Sequence, residues 1–399
     1  MQISLNSKEN DFDSYSNCED DIDPKQRAWI EVSGKAIENN VKNLISILKN
    51  NCQFMAVVKA DGYGHDAKVV SEYAIKGGAS QLGVATLQEG INLRSFGIKV
   101  PILILGNLYT KNDLLLCFKN DLMPTISNIR ECLVCNNIGK SYGKKFSLHL
   151  KVDTGMSRLG FEYNQFVKDF DAIKSFGNIA IEGIYSHLSS ADDKNSLDPT
   201  SNTQLQRQKF QELLEKINIE NNKNIRIHLA NSAGMSLGKD FHYDMVRIGL
   251  SMYGYDPLAK INQNLGLKPA LFLKSKVTFV RTIEKGIGVS YGNKFVSTRR
   301  TKLAVLSIGY ADGIIRNLSG NIHLMHNKKL YPQVGSITMD QMMVDITDSN
   351  DIKVGSTMIL LGSDGEKTIS PVDWADKSNS ITWEILCSFK NRLPRVQVD

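Results

Sequence analysis

One pattern recurs eight times between residues 54 and 248: a short apolar run, then an amphipathic stretch of helical period, closed by Gly, Asn or Asp. The runs lie at 54–58, 82–85, 102–105, 122–126, 146–152, 180–185, 225–229 and 245–248. Helical stretches separate them, such as 67–76 and 204–217, the latter with Leu205, Phe210, Leu213, Leu214 and Ile217 on one stripe. Strands that alternate with helices build a parallel sheet. Eight such units predict an α/β fold, an eight-stranded parallel (β/α)8 TIM-like barrel.

After residue 262 the period changes. Stretches at 271–280, 302–308, 334–338, 342–346 and 357–361 alternate without helices between them, so a mostly β C-terminal domain is expected, followed by a short helix at 381–388. The expected division is an acidic tail at 1–26, a barrel at 27–262 and a β domain at 263–399. The first 25 residues carry seven acids against two lysines with few aliphatics, too polar a composition to order itself. No low-complexity linker separates the two domains, so close packing between them is expected.

The net charge of +6 is spread over pairs such as Lys144-Lys145 and Arg299-Arg300 among acids, which reads as solvated surface rather than a nucleic-acid stripe. No run of about 18 apolar residues suggests a membrane span. Six cysteines at irregular spacing and no hydrophobic signal region point to a reducing cytoplasm. Cys132 and Cys135 form a C-x-x-C in a helix-like stretch without a second pair, so they are expected as core cysteines and no metal site is expected.

Barrels of this kind carry their chemistry at the carboxyl ends of the strands. That rule selects Lys59 after the first run, Lys151 and Arg158 after the fifth, His187 after the sixth, Asn231 and Ser232 after the seventh, and Arg247 at the eighth. A lysine at such a mouth is partly desolvated, which lowers its pKa and frees an amine to condense with an aldehyde. Taken alone, Lys59 reads sooner as a snorkelling surface lysine, since lysines at strand ends are common.

The surrounding residues shift that balance. Val58-Lys59-Ala60-Asp61-Gly62-Tyr63-Gly64-His65 closely resembles the cofactor-attachment motif of the alanine racemases, fold-type III enzymes that use pyridoxal 5′-phosphate. Further pieces fall in that family's order: the stretch from His149 to Gly160, Ser186-His187, His228 to Ala233, Met245 to Leu250, Val289-Ser290-Tyr291-Gly292, Ile308 to Gly313, and Met339-Asp340-Gln341. The likeness runs from about Ala28 to Val396, so only the acidic tail falls outside it.

The resemblance implies a homodimer that interconverts L-alanine and D-alanine, and so supplies D-alanine for peptidoglycan. It implies that Lys59 carries the cofactor as a Schiff base and acts as one base, with Tyr291 from the other subunit as the second. Two bases on opposite faces are needed because one alone tends to return the proton to the side it left. The family pattern assigns cofactor contacts to Tyr63, His187, Asn231, Ser232, Arg247, Gly249 and Leu250, with His228 supporting Arg247. It assigns the substrate end to Arg158, Tyr310 and Met339, and makes Lys151 a candidate for carbamylation. An arginine at the pyridine nitrogen donates a hydrogen bond but leaves that nitrogen unprotonated, so the ring is a weaker electron sink.

The chain departs from the family pattern at Ser157, where glycine is common, at Ser336 and Thr338, where arginine and cysteine are common, and at Asn391, where many members have tyrosine. The last departure implies a wider pocket that admits serine as well as alanine. Three other readings compete: a decarboxylase or broad-specificity racemase on the same plan, a cofactor-carrying barrel without turnover, and a nucleic-acid binder. The first lacks its own motifs here, and the second generally lacks a second domain carrying Val289-Ser290-Tyr291-Gly292. The third has only diffuse charge behind it.

Overall fold

The computed structural model describes residues 23–219, 224–258 and 265–399. The acidic tail expected at 1–26, except for its last four residues, lies outside the described residues, as does the boundary at 262. A first strand, β1 (Ala28–Val32), precedes eight parallel strands: β2 (Gln53–Val57), β3 (Gln81–Val84), β4 (Ile102–Asn107), β5 (Met123–Ile126), β6 (Phe146–Lys151), β7 (Ile179–Tyr185), β8 (Arg226–His228) and β9 (Met245–Ile248). Their order is β8-β7-β6-β5-β4-β3-β2-β9. The ring closes where the N–H of Asp244 bonds the Ile227 carbonyl and that of Arg247 the Ala230 carbonyl, at 2.9 and 3.0 Å. All eight apolar runs of the sequence became these strands, because a strand covered on both faces must be apolar throughout.

Alternate residues of the ring point inward. Met55, Leu103, Met123, Tyr185 and Met245 form a separate buried cluster that fills the barrel, while Phe54, Ala56, Val246 and Ile248 join the outer core under the helices. The helices begin at polar caps that follow the strands: Thr86 accepts from the Glu89 N–H, Thr110 from Asp113 and Asn128 from Glu131. Cys132 and Cys135 lie buried in the helix Ile129–Tyr142.

The helix Asn202–Lys216 corrects one expectation. Leu205 is exposed and Gln206 is buried in its place. The Gln206 side chain accepts from the Ser189 N–H and donates to the His187 carbonyl, both at 2.9 Å, so a satisfied amide takes the inward position.

The second domain is built on β10 (Leu271–Ile283), a thirteen-residue strand that bonds three others antiparallel. One of these is β1, whose other edge takes Arg395–Gln397 in parallel. The strand at residue 28 therefore belongs to the β sheet, although its sequence position led to its assignment to the barrel. Four of its five residues are buried, Trp29 included, and only Glu31 is half-buried. The strand expected at 334–338 ends instead at Val334, running Lys329–Val334, because Gly335 turns the chain in the left-handed region at φ 69. A helix at Pro371–Ser378 was not foreseen, although Ser370 and Asp373 form its capping box around Pro371. Among the described residues no helix is long and apolar enough to cross a membrane.

One buried ion pair ties the strand pairing to the loop 309–313. The Arg27 guanidinium meets both oxygens of the fully buried Asp312, at 2.7 and 3.0 Å, and Asp312 also accepts the Gly309 N–H at 3.0 Å. Asp312→Ala removes the acceptor from a partly buried cation and a buried amide. It is expected to destabilise the protein by about 3 kcal/mol, read as a lower thermal midpoint that Arg27→Ala reproduces less fully.

Candidate functional site

Each barrel residue chosen from the sequence sits at the carboxyl end of its strand. Lys59 follows β2 and opens an unusual turn: Ala60, Asp61, Gly62 and Tyr63 all have φ between 51 and 60 and ψ between 43 and 51, one turn of left-handed helix. Three of these are not glycine, and each such residue costs about 1–2 kcal/mol. The Gly62 N–H closes the turn on the Val58 carbonyl at 2.9 Å, and the Asp61 carboxylate accepts the Ala67 N–H at 2.9 Å. Burial holds the Lys59 amine below its ordinary pKa, and the nearby Arg158 charge pushes the same way.

The turn delivers Tyr63 inward, where its ring packs on Tyr253 at 4.8 Å and its hydroxyl closes on Gly249. A side chain at Gly249 would begin 2.5 Å from that hydroxyl, so glycine is required by the close approach. Beside it Ser232 accepts the N–H groups of Gly249 and Ser251 at 3.1 and 3.4 Å. Leu250 opens the short turn Leu250–Tyr253. Tyr63, Ser232 and the Gly249 backbone thus face one another across a small polar cradle. The Asn231 side chain is engaged as a cap, accepting the Gly234 N–H at 2.9 Å.

Arg247 lies buried at the end of β9. One guanidinium nitrogen meets His228 Nδ1 at 2.9 Å; the other donates to the Ser186 and Leu229 carbonyls at 2.8 and 2.9 Å and reaches His187 Nδ1 at 3.2 Å. Desolvation pulls it down to about 10, so it remains a cation near neutrality. A guanidinium only donates, which makes His228 Nδ1 an acceptor and puts the proton on Nε2. That proton faces His149 Nδ1 at 2.9 Å. The Tyr185 ring stacks on His228 at 4.6 Å and 8°, fixed by a 2.7 Å bond between its hydroxyl and Thr125. Burial, then the charge of Arg247, holds His187 and His228 well below 6.5, and burial holds His149 at about 3.

Lys151 ends β6, 5% exposed, and donates to the Leu159 carbonyl at 2.8 Å. Burial, helped by Arg247 and Arg158, lowers its amine to about 8. The Asp153 carboxylate is turned away to the N–H groups of Gly155 and Met156, both at 2.9 Å. Arg158 is exposed, without a hydrogen-bond or ion-pair partner among the described residues. Ser157 has φ 56, which explains why glycine suits that place.

Tyr291, Tyr310 and Met339 form a second group on the β domain. Ser290 donates to the Ser336 carbonyl and Ser336 to the Tyr291 carbonyl, both at 2.8 Å; the N–H groups of Tyr310 and Ala311 bond the Thr338 and Met339 carbonyls at 3.0 Å. Ser336 therefore braces Tyr291. No hydrogen bond or ring contact among the described residues joins this group to Lys59 within one chain. Tyr291 is 72% and Met339 52% exposed, and Tyr291 lines a groove of about 620 Å³ of mixed character, with Phe279, Ile287 and Met343 beside Arg281, Thr338 and Gln341. Gln206, Glu89, His149 and Tyr185 were missed by the sequence reading, because a lone polar residue in a strand or helix carries no spacing signal. The His149-to-His228 pairing is visible only once β6 and β8 flank β7.

Asn391 is exposed in the turn before Arg395–Gln397. If position 391 borders the pocket as the family resemblance implies, an Asn391→Tyr protein is expected to lose activity on L-serine at least about fivefold more than on L-alanine. Equal losses on both would remove any role in specificity.

The described arrangement matches known proteins along its length. Residues 32–257 match the family model "Alanine racemase, N-terminal domain" and residues 270–397 the model "Alanine racemase, C-terminal domain". An alanine racemase of Prochlorococcus marinus is 51% identical over 377 residues, 94% of this chain and 97% of the relative. The solved alanine racemase of Clostridium difficile 630 superposes with a TM-score of 0.85 at 33% identity, covering 93% of this chain and 95% of that one. The alanine racemase of Bartonella henselae, solved with covalently bound pyridoxal phosphate, gives 0.82 at 29% identity, covering 93% and 99%.

Proposed function

This chain belongs to the alanine racemase family and is an isomerase, and on that premise we propose that it interconverts L- and D-alanine with Lys59 and Tyr291 as bases on opposite faces of the α-carbon. The observation that carries the reading is the convergence of a desolvated lysine, a polar cradle and a buried arginine at one barrel mouth.

The residues fit pyridoxal phosphate. Tyr63, Ser232 and the backbone at Gly249 and Leu250 would hold its phosphate, with the bare Gly249 letting the Tyr63 hydroxyl close on that backbone. Arg247, a cation near neutrality despite its burial, would donate to the ring nitrogen, and His187 beside it would pack on the ring. Asn231 would act indirectly by ordering the turn that presents Ser232. Bound there, the cofactor supplies a conjugated ring that takes up the electron pair left when the α-proton departs. Lys59 would carry it and move the proton on one face. His228, held neutral, keeps accepting from Arg247 and so fixes its direction.

Tyr291, Tyr310 and Met339 would reach the barrel of a second copy, which makes the working unit a homodimer with shared sites. The exposure of all three on a single chain supports this. Arg158 would meet the substrate carboxylate or Tyr291. Lys151, with an amine lowered to about 8 and no carboxylate turned toward it, has the neutral fraction that reaction with carbon dioxide requires, and the resulting anion would orient Arg158. Production of D-alanine for peptidoglycan in the cytoplasm completes the reading.

The test is purified protein assayed for optical change and α-hydrogen exchange on L-alanine and L-serine, with the absorbance of bound cofactor recorded alongside. Lys59→Ala is expected to abolish both the lysine-dependent absorbance and racemisation, a loss of at least about 10⁴-fold. Bound cofactor without exchange on either amino acid would leave a carrier rather than an enzyme.

A further inference from the structure

The left-handed turn after Lys59 is held from outside by charged groups of two other elements. Glu89 Oε1 accepts the Ala60 N–H at 2.7 Å, while Oε2 accepts the Ala85 N–H at 2.7 Å and the Thr86 N–H at 3.0 Å. Glu89 belongs to the capping box that starts the helix Leu87–Ser95, and that box needs only the Thr86 bond. The other two bonds go beyond it, one to the end of β3 and one to the residue next to Lys59. At the far end of the turn the Arg395 Nε donates to the Gly64 carbonyl at 3.2 Å. The remaining Arg395 nitrogens are held by the Lys390, Leu393 and Phe389 carbonyls, at 2.8, 2.8 and 3.0 Å. Gly64 packs so closely on the Leu386 carbonyl that no side chain fits.

We propose that Glu89 is a positioning residue for Lys59, anchoring the first amide of the left-handed turn and placing a fixed negative charge beside the lysine nitrogen. The proposal rests on the reading of Lys59 as the cofactor-bearing residue. Four groups face Lys59 from neighbouring elements: Arg158 from the loop after β6, His187 after β7, held neutral, Cys387 from the helix Thr382–Cys387, and Glu89. Asp61 lies on the turn itself, with its carboxylate committed to the Ala67 N–H. Partial desolvation raises the Cys387 thiol, which leaves Glu89 as the anion opposing the Arg158 cation. Glu89 thus acts on geometry and charge through one carboxylate. A plain helix cap would act on neither.

The experiment compares holoenzyme of wild type, Glu89→Gln, Thr86→Ala and Lys59→Ala by pH titration of the lysine-bound cofactor absorbance, by kcat and KM, and by thermal midpoint. Glutamine keeps the size of the side chain but has one acceptor oxygen and no charge. Glu89→Gln is expected to lower the pH midpoint of the absorbance change by about half a unit to one unit, since the positive nitrogen loses its opposing charge. Its kcat should fall about tenfold with KM nearly unchanged. Thr86→Ala removes the reciprocal half of the capping box, in which its hydroxyl accepts the Glu89 N–H at 3.2 Å, and should lower the thermal midpoint while leaving absorbance and kcat as in wild type. An unchanged midpoint and kcat in Glu89→Gln, or equal shifts in Thr86→Ala, would reduce Glu89 to a helix cap and overturn the proposal. Persistence of the absorbance in Lys59→Ala would overturn the assignment of Lys59 as well, an outcome no Glu89 variant can produce.

Discussion

A Tyr291→Phe protein is expected to racemise alanine about a thousand-fold more slowly than wild type in both directions, while folding and holding cofactor normally. The phenol sits on an exposed turn whose backbone is fixed by Ser290 and Ser336, so loss of one oxygen removes a proton carrier and leaves the turn intact. The distinguishing result is asymmetry in exchange. The enantiomer whose α-hydrogen faces Lys59 should still exchange that hydrogen with solvent and keep its configuration. The other enantiomer should stop exchanging. Equal residual exchange of both enantiomers, or a loss under tenfold, would show that Tyr291 is not the opposing base. Mixing Tyr291→Phe with Lys59→Ala chains adds a second check: if sites are shared between subunits, half of the sites in a mixed dimer recover both wild-type residues and activity returns.

The second large effect is acid lability. His65, His149 and His228 are fully buried and His187 is half-buried, and all four are held neutral, His65 at about 4 and His149 at about 3, with desolvation the leading cause in each. Their folded values lie below the ordinary 6.5, so as pH falls the unfolded chain takes up these protons first. The stability they contribute is complete above pH 6.5 and is lost as pH drops toward their folded values. Each group removes about 1.4 kcal/mol per pH unit inside that window, so the four together cost about 5 kcal/mol between pH 7 and 5.5. That equals a large part of the stability of an ordinary protein. Circular dichroism against pH should show unfolding near pH 5. Retention of the fold at pH 4.5 would mean that these imidazoles are charged or solvated in the native state. Lys151, lowered to about 8, has the same sign but acts between pH 8 and 10.5, outside the acid window.

Much of this protein is legible in its sequence because the barrel strands need a local signal only. A run covered on both faces must be apolar at every position, so the stretches at 54–58 and 245–248 announce themselves without knowledge of their neighbours. Lys59 is equally local: the residues that give its turn left-handed backbone and close packing, Gly62 and Gly64, lie within five positions of it. The same holds for Gly249, which the fold needs bare against Tyr63.

Where a residue's role depends on what lies opposite, sequence could not decide. Leu205 and Gln206 differ by one position on a helix, and hydrophobicity favours burying the leucine. The loop at Ser189 and the His187 carbonyl offer the amide three bonds, and those bonds place Gln206 inward instead. β1 is a short strand whose sheet is chosen by β10, some 240 residues later. His149 and His228 are 79 residues apart and meet because β6, β7 and β8 are adjacent in the ring. Nothing in the sequence singles out Glu89, and only the pairing of β2 with β3 brings its second oxygen to Ala60. Local patterns of polarity and glycine set the strands, the turns and the reactive lysine. Partnerships between distant polar groups were set by the closed ring and the sheet behind it, since a buried donor or acceptor accepts any partner that satisfies it and the sequence does not record which one arrives.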